Sequence, residues 1–245
     1  MAGYNTQLAV DSKHKLIVAV DVVQDGNDSQ QLASMATQAK GALEVDNLKV
    51  VADAGYYSKQ QLKDCEAQGL EAYVPEPDKQ AQTRAEGRLT RDAFHYDEAS
   101  DHYVCPAGHI LARQGIQHKG AARNIRYAAH ARDCRACPLR DECLGKGKTR
   151  YRQLYRSEHE AVVERHRERM AEDGSEHMRL RAGLAEHPFG TMKRWFGYLH
   201  FVTRGLEKVT GEMNLMVLCY NLKRVINIVG NRRLIGYFGA RSASP

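Results

Sequence analysis

The run Glu186-His-Pro-Phe-Gly-Thr-Met-Lys193 sets one acid and one base seven residues apart, with Arg194 and Trp195 directly after them. Seven residues are two helical turns, so in a helix Glu186 and Lys193 share a face. A carboxylate on that face can hold a hard divalent cation, and a lysine beside it can hold a phosphate oxygen. The pairing suits chemistry on a nucleic-acid backbone. A surface Glu–Lys pair on an amphipathic helix has the same spacing, and spacing alone does not separate the two.

A second constellation is made of thiols. Cys134, Cys137 and Cys143 form a compact cluster, and Cys105 precedes them in Cys-Pro-Ala-Gly-His. Four thiolates from two short loops match a closed, structural zinc site, and His109 is an alternative ligand. A small, weakly apolar segment needs such a staple to fold. Four unliganded thiols remain the other reading. Around the cluster, Arg132, Arg135, Arg140, Lys146, Lys148, Arg150 and Arg152 either contact phosphates or solvate the module. Cys65 and Cys219 sit in helical patterns and are expected to be buried apolar residues.

Composition bounds these possibilities. The 245 residues suffice for one large domain, or one domain with an insert. Hydrophobic residues make up 42%, so a packed core is possible. The net charge of +6 and pI near 9.0 favour a polyanionic partner. No stretch approaches the roughly 18 apolar residues of a membrane span. The start, MAGYNTQLAV, lacks the pattern of a signal peptide, so the expected location is cytoplasmic and the six cysteines are reduced thiols or metal ligands.

The elements that must position these residues follow from periodicity. Tyr4 to Val10 alternates, Asp11 to His14 is a turn, and Leu16 to Val23 is β-branched, which predicts a hairpin. Asn27 or Asp28 is the predicted cap of a helix to Lys40, Lys49 to Asp53 is a strand ending in an acid, and Ser58 caps a helix to Gln68. Leu70 to Val74 is another strand. Mixed α/β sheets carry functional residues at the carboxyl ends of strands, and Asp53 is so placed. Residues 1–77 are thus the first part of a core and 78–152 a linker and cysteine-rich insert. A helical second part spans 153–230, with Pro188 starting or kinking a helix, and 231–245 is a flexible tail. Leu206, Val209, Met213, Met216, Val217 and Tyr220 form a core-facing stripe.

Taken together, the chain resembles the DDE-type insertion-sequence transposases with an RNase-H-like core. The carrying motifs are Gly-Tyr-Asn-Thr-Gln-Leu-Ala-Val-Asp at 3–11, Ala-Asp-Ala-Gly-Tyr-Tyr-Ser at 52–58 and the cysteines at 105–143. They continue with Glu-His-Pro-Phe-Gly-Thr-Met-Lys-Arg-Trp at 186–195, Thr-Arg-Gly-Leu-Glu-Lys-Val at 203–209 and Tyr-Asn-Leu-Lys-Arg-Val at 220–225. The resemblance implies an RNase-H-like mixed sheet with flanking helices, interrupted by the cysteine-rich insert, and metal-dependent DNA cleavage and strand transfer. Three carboxylates would bind two Mg²⁺ or Mn²⁺ ions. Asp53 matches the second acid, Glu186 the third, and Lys193 the lysine that grips DNA, with Arg194 and Arg181 beside it. The family pattern places an arginine four residues before the Glu; that position is Ala182 here, and Arg181 is one residue off.

The family's first acid lies on a central strand ahead of the Gly-Tyr-Asn hairpin, and this sequence starts two residues before that motif. The expectation is therefore a chain lacking the first strand and its Asp, truncated and inactive alone. Asp11, Asp21 and Asp28 are weak substitutes: the first belongs to the hairpin motif and the last reads as a cap or first-turn acid. Transposon-end and target DNA are the implied partners, with a homodimer implied by resemblance only. The rival reading is a non-enzymatic, zinc-stabilised DNA-binding protein.

Overall fold

The computed structural model describes residues 3–119, 122–145, 147–195, 197 and 200–242, without the side chains of 119, 122, 185, 186, 195 and 238–242. The chain divides into two compact units, residues 1–76 with 162–245, and residues 77–161.

The first unit begins with the antiparallel hairpin β1 (Asn5–Val10) and β2 (Ile17–Val23). Asp11 sets its turn by accepting the backbone N–H groups of Lys13 and His14. After α1 (Leu32–Leu43) come β3 (Leu48–Val51), α2 (Lys59–Ala67) and β4 (Leu70–Tyr73), a βαβ crossover with β4 parallel to β3. The hairpin and the parallel pair are separate two-stranded sheets. α1 packs on both. Its Met35 and Ala39 cover Ala19 of β2, while Leu32, Ala33 and Ala36 meet Leu62 and Cys65 of α2 and Leu70 and Ala72 of β4.

The start of α1 differs from the cap predicted at Asn27 or Asp28. Gln31 holds the cap position without a side-chain capping bond, its amide donating to Asp25 instead. Asn27 folds back on Ser29, and Asp28 turns to β1, accepting from Asn5 and Gln7 at 2.7 Å each. Those amides outcompete the helix terminus for the carboxylate.

In the second unit, a short helix α3 (Ala81–Ala85) leads into an antiparallel sheet of β5 (His95–Asp97), β6 (His102–Val104), β7 (Ile110–Lys119), β8 (Ala122–Ala129) and, after α4 (Ala131–Arg135) and α5 (Arg140–Leu144), β9 (Gln153–Ser157). One face is an aromatic core of Phe94, Tyr103, Leu111, Tyr127 and Leu154. Its hydroxyls are tied off: Tyr127 and Tyr96 donate to Asp101, and Arg91 donates to Tyr103.

The chain returns to the first unit along α6 (Glu160–Glu172), followed by α7 (Gly174–Trp195), α8 (Leu206–Val229) and α9 (Asn231–Ser242). Pro188 lies inside α7, which runs through it. The Gly/Arg/Ser-rich tail expected after Gly230 is helical over Asn231–Ser242. On α8, Val209, Met213 and Tyr220 are buried as expected against Ile17 and Val22, but Leu206 is exposed, and Cys219 lies on the solvent side rather than in the core. The core-facing stripe of α8 already fills the space over β2, so the next position around the helix points out.

α8 also clamps the hairpin through hydrogen bonds. Asn221 accepts the Ile17 N–H at 2.9 Å and donates to the Ile17 carbonyl at 2.8 Å, filling the edge of β2 as a strand would. Tyr220 donates to the Lys15 carbonyl and pairs with His187 of α7, and Arg224 holds the His14 carbonyl with two nitrogens. At the other end Gly205 donates to the Tyr4 hydroxyl.

His166 on α6 is 1% exposed, its Nε2 accepting from the Val74 N–H at 3.4 Å. Burial, with Arg169 and Arg167 beside it and only Glu76 opposing, lowers its pKa from 6.5 to about 4. The unfolded chain takes this proton first, so stability present above pH 6.5 falls as the pH drops toward 4, by about 3 kcal/mol. The arginine-paired Glu66 and Glu76 and the Tyr73-bonded Asp173, all with lowered pKa, add to the same trend. Urea midpoints across that range should therefore fall less steeply for His166→Gln than for the wild type; parallel curves would refute the assignment. For the clamp, Asn221→Ala should cost about 2 kcal/mol in urea unfolding by stranding a buried N–H and carbonyl, and exposed Asn214→Ala almost nothing.

Candidate functional site

Asp53 stands just past the carboxyl end of β3, whose ladder is extended by the Ala52 N–H bonding to the Tyr73 carbonyl. Its backbone is extended, and it caps a single 3₁₀ turn, Ala54–Tyr56. Both carboxylate oxygens are engaged: Oδ1 accepts the Gly55 N–H at 3.0 Å, and Oδ2 pairs with Arg181 of α7 at 2.8 Å. The pair is partly open to solvent, so it contributes no more than about 1 kcal/mol. Arg181, expected on DNA, is instead the group that joins α7 to the strand end bearing Asp53.

A polar network surrounds this pair. Gln7 is fully buried, donates to Asp28, and accepts from the Tyr56 hydroxyl. Burial first, then the nearby Asp28 and Asp53 charges, push Tyr56 up to about 12, with Arg181 opposing. A Cβ added at Gly55 would stand 3.0 Å from Asp53 Oδ1 and 3.8 Å from Asp28 Oδ2, so both carboxylates flank one backbone position. Sequence reasoning gave Asp28 a capping role and missed this proximity. The available signal was the Asn5-x-Gln7 pair on one strand face, two amides seeking an acceptor. Asp11 and Asp21 are committed to backbone N–H groups, the latter to Val22.

Glu186 lies on the α7 backbone, and its side chain is outside the described residues, as are the side chain of Trp195 and all of Lys146. Five residues separate 186 from 181, about 140° around the helix. Position 186 thus shares the side of Arg179, Gly183, Gly190 and Lys193, all exposed, while Pro188 and Met192 are buried on the other side. Lys193 and Arg194 are both exposed. The arrangement does not fit a two-metal site as it stands. A guanidinium occupies the open side of Asp53, and among the described residues no three His, Cys, Asp or Glu side chains are arranged to hold a metal ion.

The four thiols of the second unit share a cavity without an arrangement that could hold a metal ion. Cys105, Cys134, Cys137 and Cys143 line one cavity of about 20 Å³ with His109, Arg140 and Arg152. The hairpin β5–β6 delivers Cys105 to a tight turn in which the His109 N–H donates to Cys105 Sγ at 3.3 Å. α4 carries Cys134 and α5 carries Cys143. Arg140 and Arg152 donate to the carbonyls of Cys134 and Cys143. Burial pushes the Cys143 thiol up, Arg152 opposes, and the other three sulfurs each add to the rise.

A family model described as transposase DDE domain matches residues 104–226, half of the chain, and the chain belongs to this family of DDE-type transposases. The matched span holds the four thiols, Glu186 and Lys193, and ends on α8 just past the clamp residues Tyr220, Asn221 and Arg224; Asp53 lies outside it. A mixed α/β architecture and a transposase-type function on DNA follow from membership. Neither the curated proteins nor the solved structures contain a significant match. Among the described residues no helix is long and apolar enough to cross a membrane.

Because the Asp53–Arg181 pair is half-exposed, Arg181→Ala should leave the melting temperature within a few degrees of wild type. It should also raise Mn²⁺ binding at Asp53, read as a Mn²⁺-dependent stabilisation that Asp53→Asn abolishes. Equal Mn²⁺ responses in wild type and Arg181→Ala would show that the arginine does not guard the carboxylate.

Proposed function

We propose that this chain carries two acids of a DNA-cleaving and strand-transferring site, Asp53 and Glu186, with Lys193 and Arg194 as DNA contacts, and that alone it does not cleave. What supports the proposal is that Asp53, at a strand end, is tied by Arg181 to α7, whose following turns carry Glu186 and Lys193 about 140° further around the helix. In the family, divalent ions at such acids activate the attacking oxygen and stabilise the leaving one. Here Asp53 is held by a guanidinium, and the neighbouring Asp28 accepts from Asn5 and Gln7 through Oδ1. The hairpin and the parallel pair, both covered by α1, are not laddered to one another among the described residues. An extended, acid-bearing segment between them is the piece that would complete both sheet and site.

The charge distribution favours a DNA-binding role that survives without cleavage. Residues 77–161 hold 16 of the 36 lysines and arginines and 11 of the 30 acids, so five of the six net positive charges reside there. In the same unit the four thiols line one cavity, which supports a structural zinc ion with no open position for catalysis, although the sulfurs as placed are not arranged to hold one. Zinc would convert four half-buried thiols into a cross-link between the loops that carry them.

In gel-shift and nicking assays with Mg²⁺ or Mn²⁺, the purified chain should retain DNA without cutting it. Nicking that disappears in Asp53→Asn and Glu186→Gln would overturn the inactivity, and failure to bind any DNA would overturn the proposal as a whole. Metal analysis should find about one zinc per chain, lost in Cys134→Ser together with a lowered melting temperature; a zinc-free, equally stable protein would exclude the zinc site.

A further inference from the structure

One face of the second unit's sheet is the aromatic core; the other is open around Gln117 and Tyr155, with Ala128 and Ser157 buried at its ends. Strand register defines the open one: Gly115, Arg126 and Tyr155 form one rung, Gln117, Asn124 and Ser157 the next, and Ala128 pairs with Gln153 on the other side. Alternate positions Leu111, Tyr127 and Leu154 point into the aromatic core, so these rungs point away from it. Tyr155 is 42% exposed, and its hydroxyl is steadied by Gln153 at 3.0 Å. Its direct cross-strand neighbour, Arg126, has no acidic partner among the described residues. The arginine's other neighbour is Gly115, where an added Cβ would meet nothing within 4 Å. The three rungs contain no acid.

We infer that this open face seats a single-stranded segment of nucleic acid, with Tyr155 as a stacking platform and Arg126 as the phosphate or base-plane contact. An exposed ring on a strand offers its face to an unpaired base, whereas bases within a duplex are already stacked. Arg126 supplies the charge at the ring's edge, and Gln117, Asn124 and Gln153 bring amides of both hydrogen-bonding senses to base edges. Residues 111–156 carry 12 lysines and arginines against three acids, so the surrounding field draws a polyanion to this sheet. The occupant is therefore unpaired DNA, such as a frayed or nicked end, and the inference rests on the DNA-acting function proposed above.

The test uses the full chain, with fluorescence anisotropy on a labelled oligo-dT strand and on a duplex of matched length. Tyr155→Ala should weaken oligo-dT binding about tenfold or more and duplex binding far less. Tyr155→Phe should bind as wild type, since stacking needs the ring and not the hydroxyl. Arg126→Gln should weaken oligo-dT binding and lower the salt slope by about one. Circular dichroism melts establish that each variant is folded, and Arg126→Gln decides the matter if Tyr155→Ala is not. Wild-type binding of oligo-dT that neither Tyr155→Ala nor Arg126→Gln weakens would overturn the seat while leaving the DNA function intact. A wild-type chain that binds duplex alone would overturn it equally. Failure of the wild type on both probes would overturn the DNA function and the seat together.

Discussion

The first unit depends on α8 gripping a hairpin more than two hundred residues upstream. A two-stranded hairpin is marginal by itself. Here Asn221 supplies both hydrogen bonds that a third strand would give at Ile17, while Tyr220 and Arg224 hold the turn carbonyls of Lys15 and His14. The grip closes a very long loop, but closure entropy grows only logarithmically, so a few well-formed contacts suffice. Once the hairpin is fixed, Val20, Val22 and Leu8 gain a packing partner in Val209, Met213 and Met192, and α1 can seat on the opposite face through Ala19. The side chains of the Tyr-Asn-x-x-Arg run at 220–224 are thus structural. So are those of the 3–11 run: Tyr4 receives Gly205, Asn5 and Gln7 hold Asp28, and Asp11 forms the turn.

That architecture sets the electrostatics around Asp53. The network from β1 through Asp28, Gln7 and Tyr56 brings negative charge up to the strand end, and burial prevents Tyr56 from sharing it. Two carboxylates flanking Gly55 leave a local deficit of positive charge. Arg181 fills it from α7. The same deficit would be met by a divalent cation, and a cation and a guanidinium cannot both sit at Asp53 Oδ2. The ion pair is therefore a competitor for metal rather than a support for it. Its partial exposure makes it a weak competitor.

Much of this was legible in the residues. Alternation at Tyr4–Val10 and the β-branched run after Leu16 gave the hairpin, Gly69 in a positive-φ turn ends α2's segment, and Asp53 falls at a strand end. The parts that were not legible share one cause: the deciding partner is distant in sequence. Asp28 looks like a helix cap until the amides of Asn5 and Gln7 are brought to it. Cys219 looks buried until the neighbouring positions of α8 have filled the space over β2. Beyond the hairpin of His95–Asp97 with His102–Val104, the sheet of residues 77–161 was not legible, because its core is built from tyrosines whose hydroxyls are satisfied by Asp101 and Arg91 rather than from aliphatic runs. Its long strands alternate core residues with Arg, Gln and Asn, which read as loop. The relation of α7 to Asp53 could not come from spacing, because seven residues relate Glu186 to Lys193 and not to the strand end.

The thiol cavity and the open sheet face are mechanically linked. Arg152 donates to the carbonyls of Cys143 and Leu89, lies over the Phe94 ring, and accepts the Ala129 N–H through its own carbonyl. The next residue, Gln153, begins β9 and steadies Tyr155. A buried guanidinium at the foot of β8 and β9 thus transmits the geometry of the Cys143 loop to the two strands bearing Arg126 and Tyr155. Arg152 Nε has no hydrogen-bond partner among the described residues, and burial lowers the pKa of the guanidinium, so this is an expensive place for a charge. Its cost is offset only if the loop carbonyls stay where they are. Anything that pins the four sulfurs, and with them the Cys143 carbonyl, pins the strand that presents Tyr155.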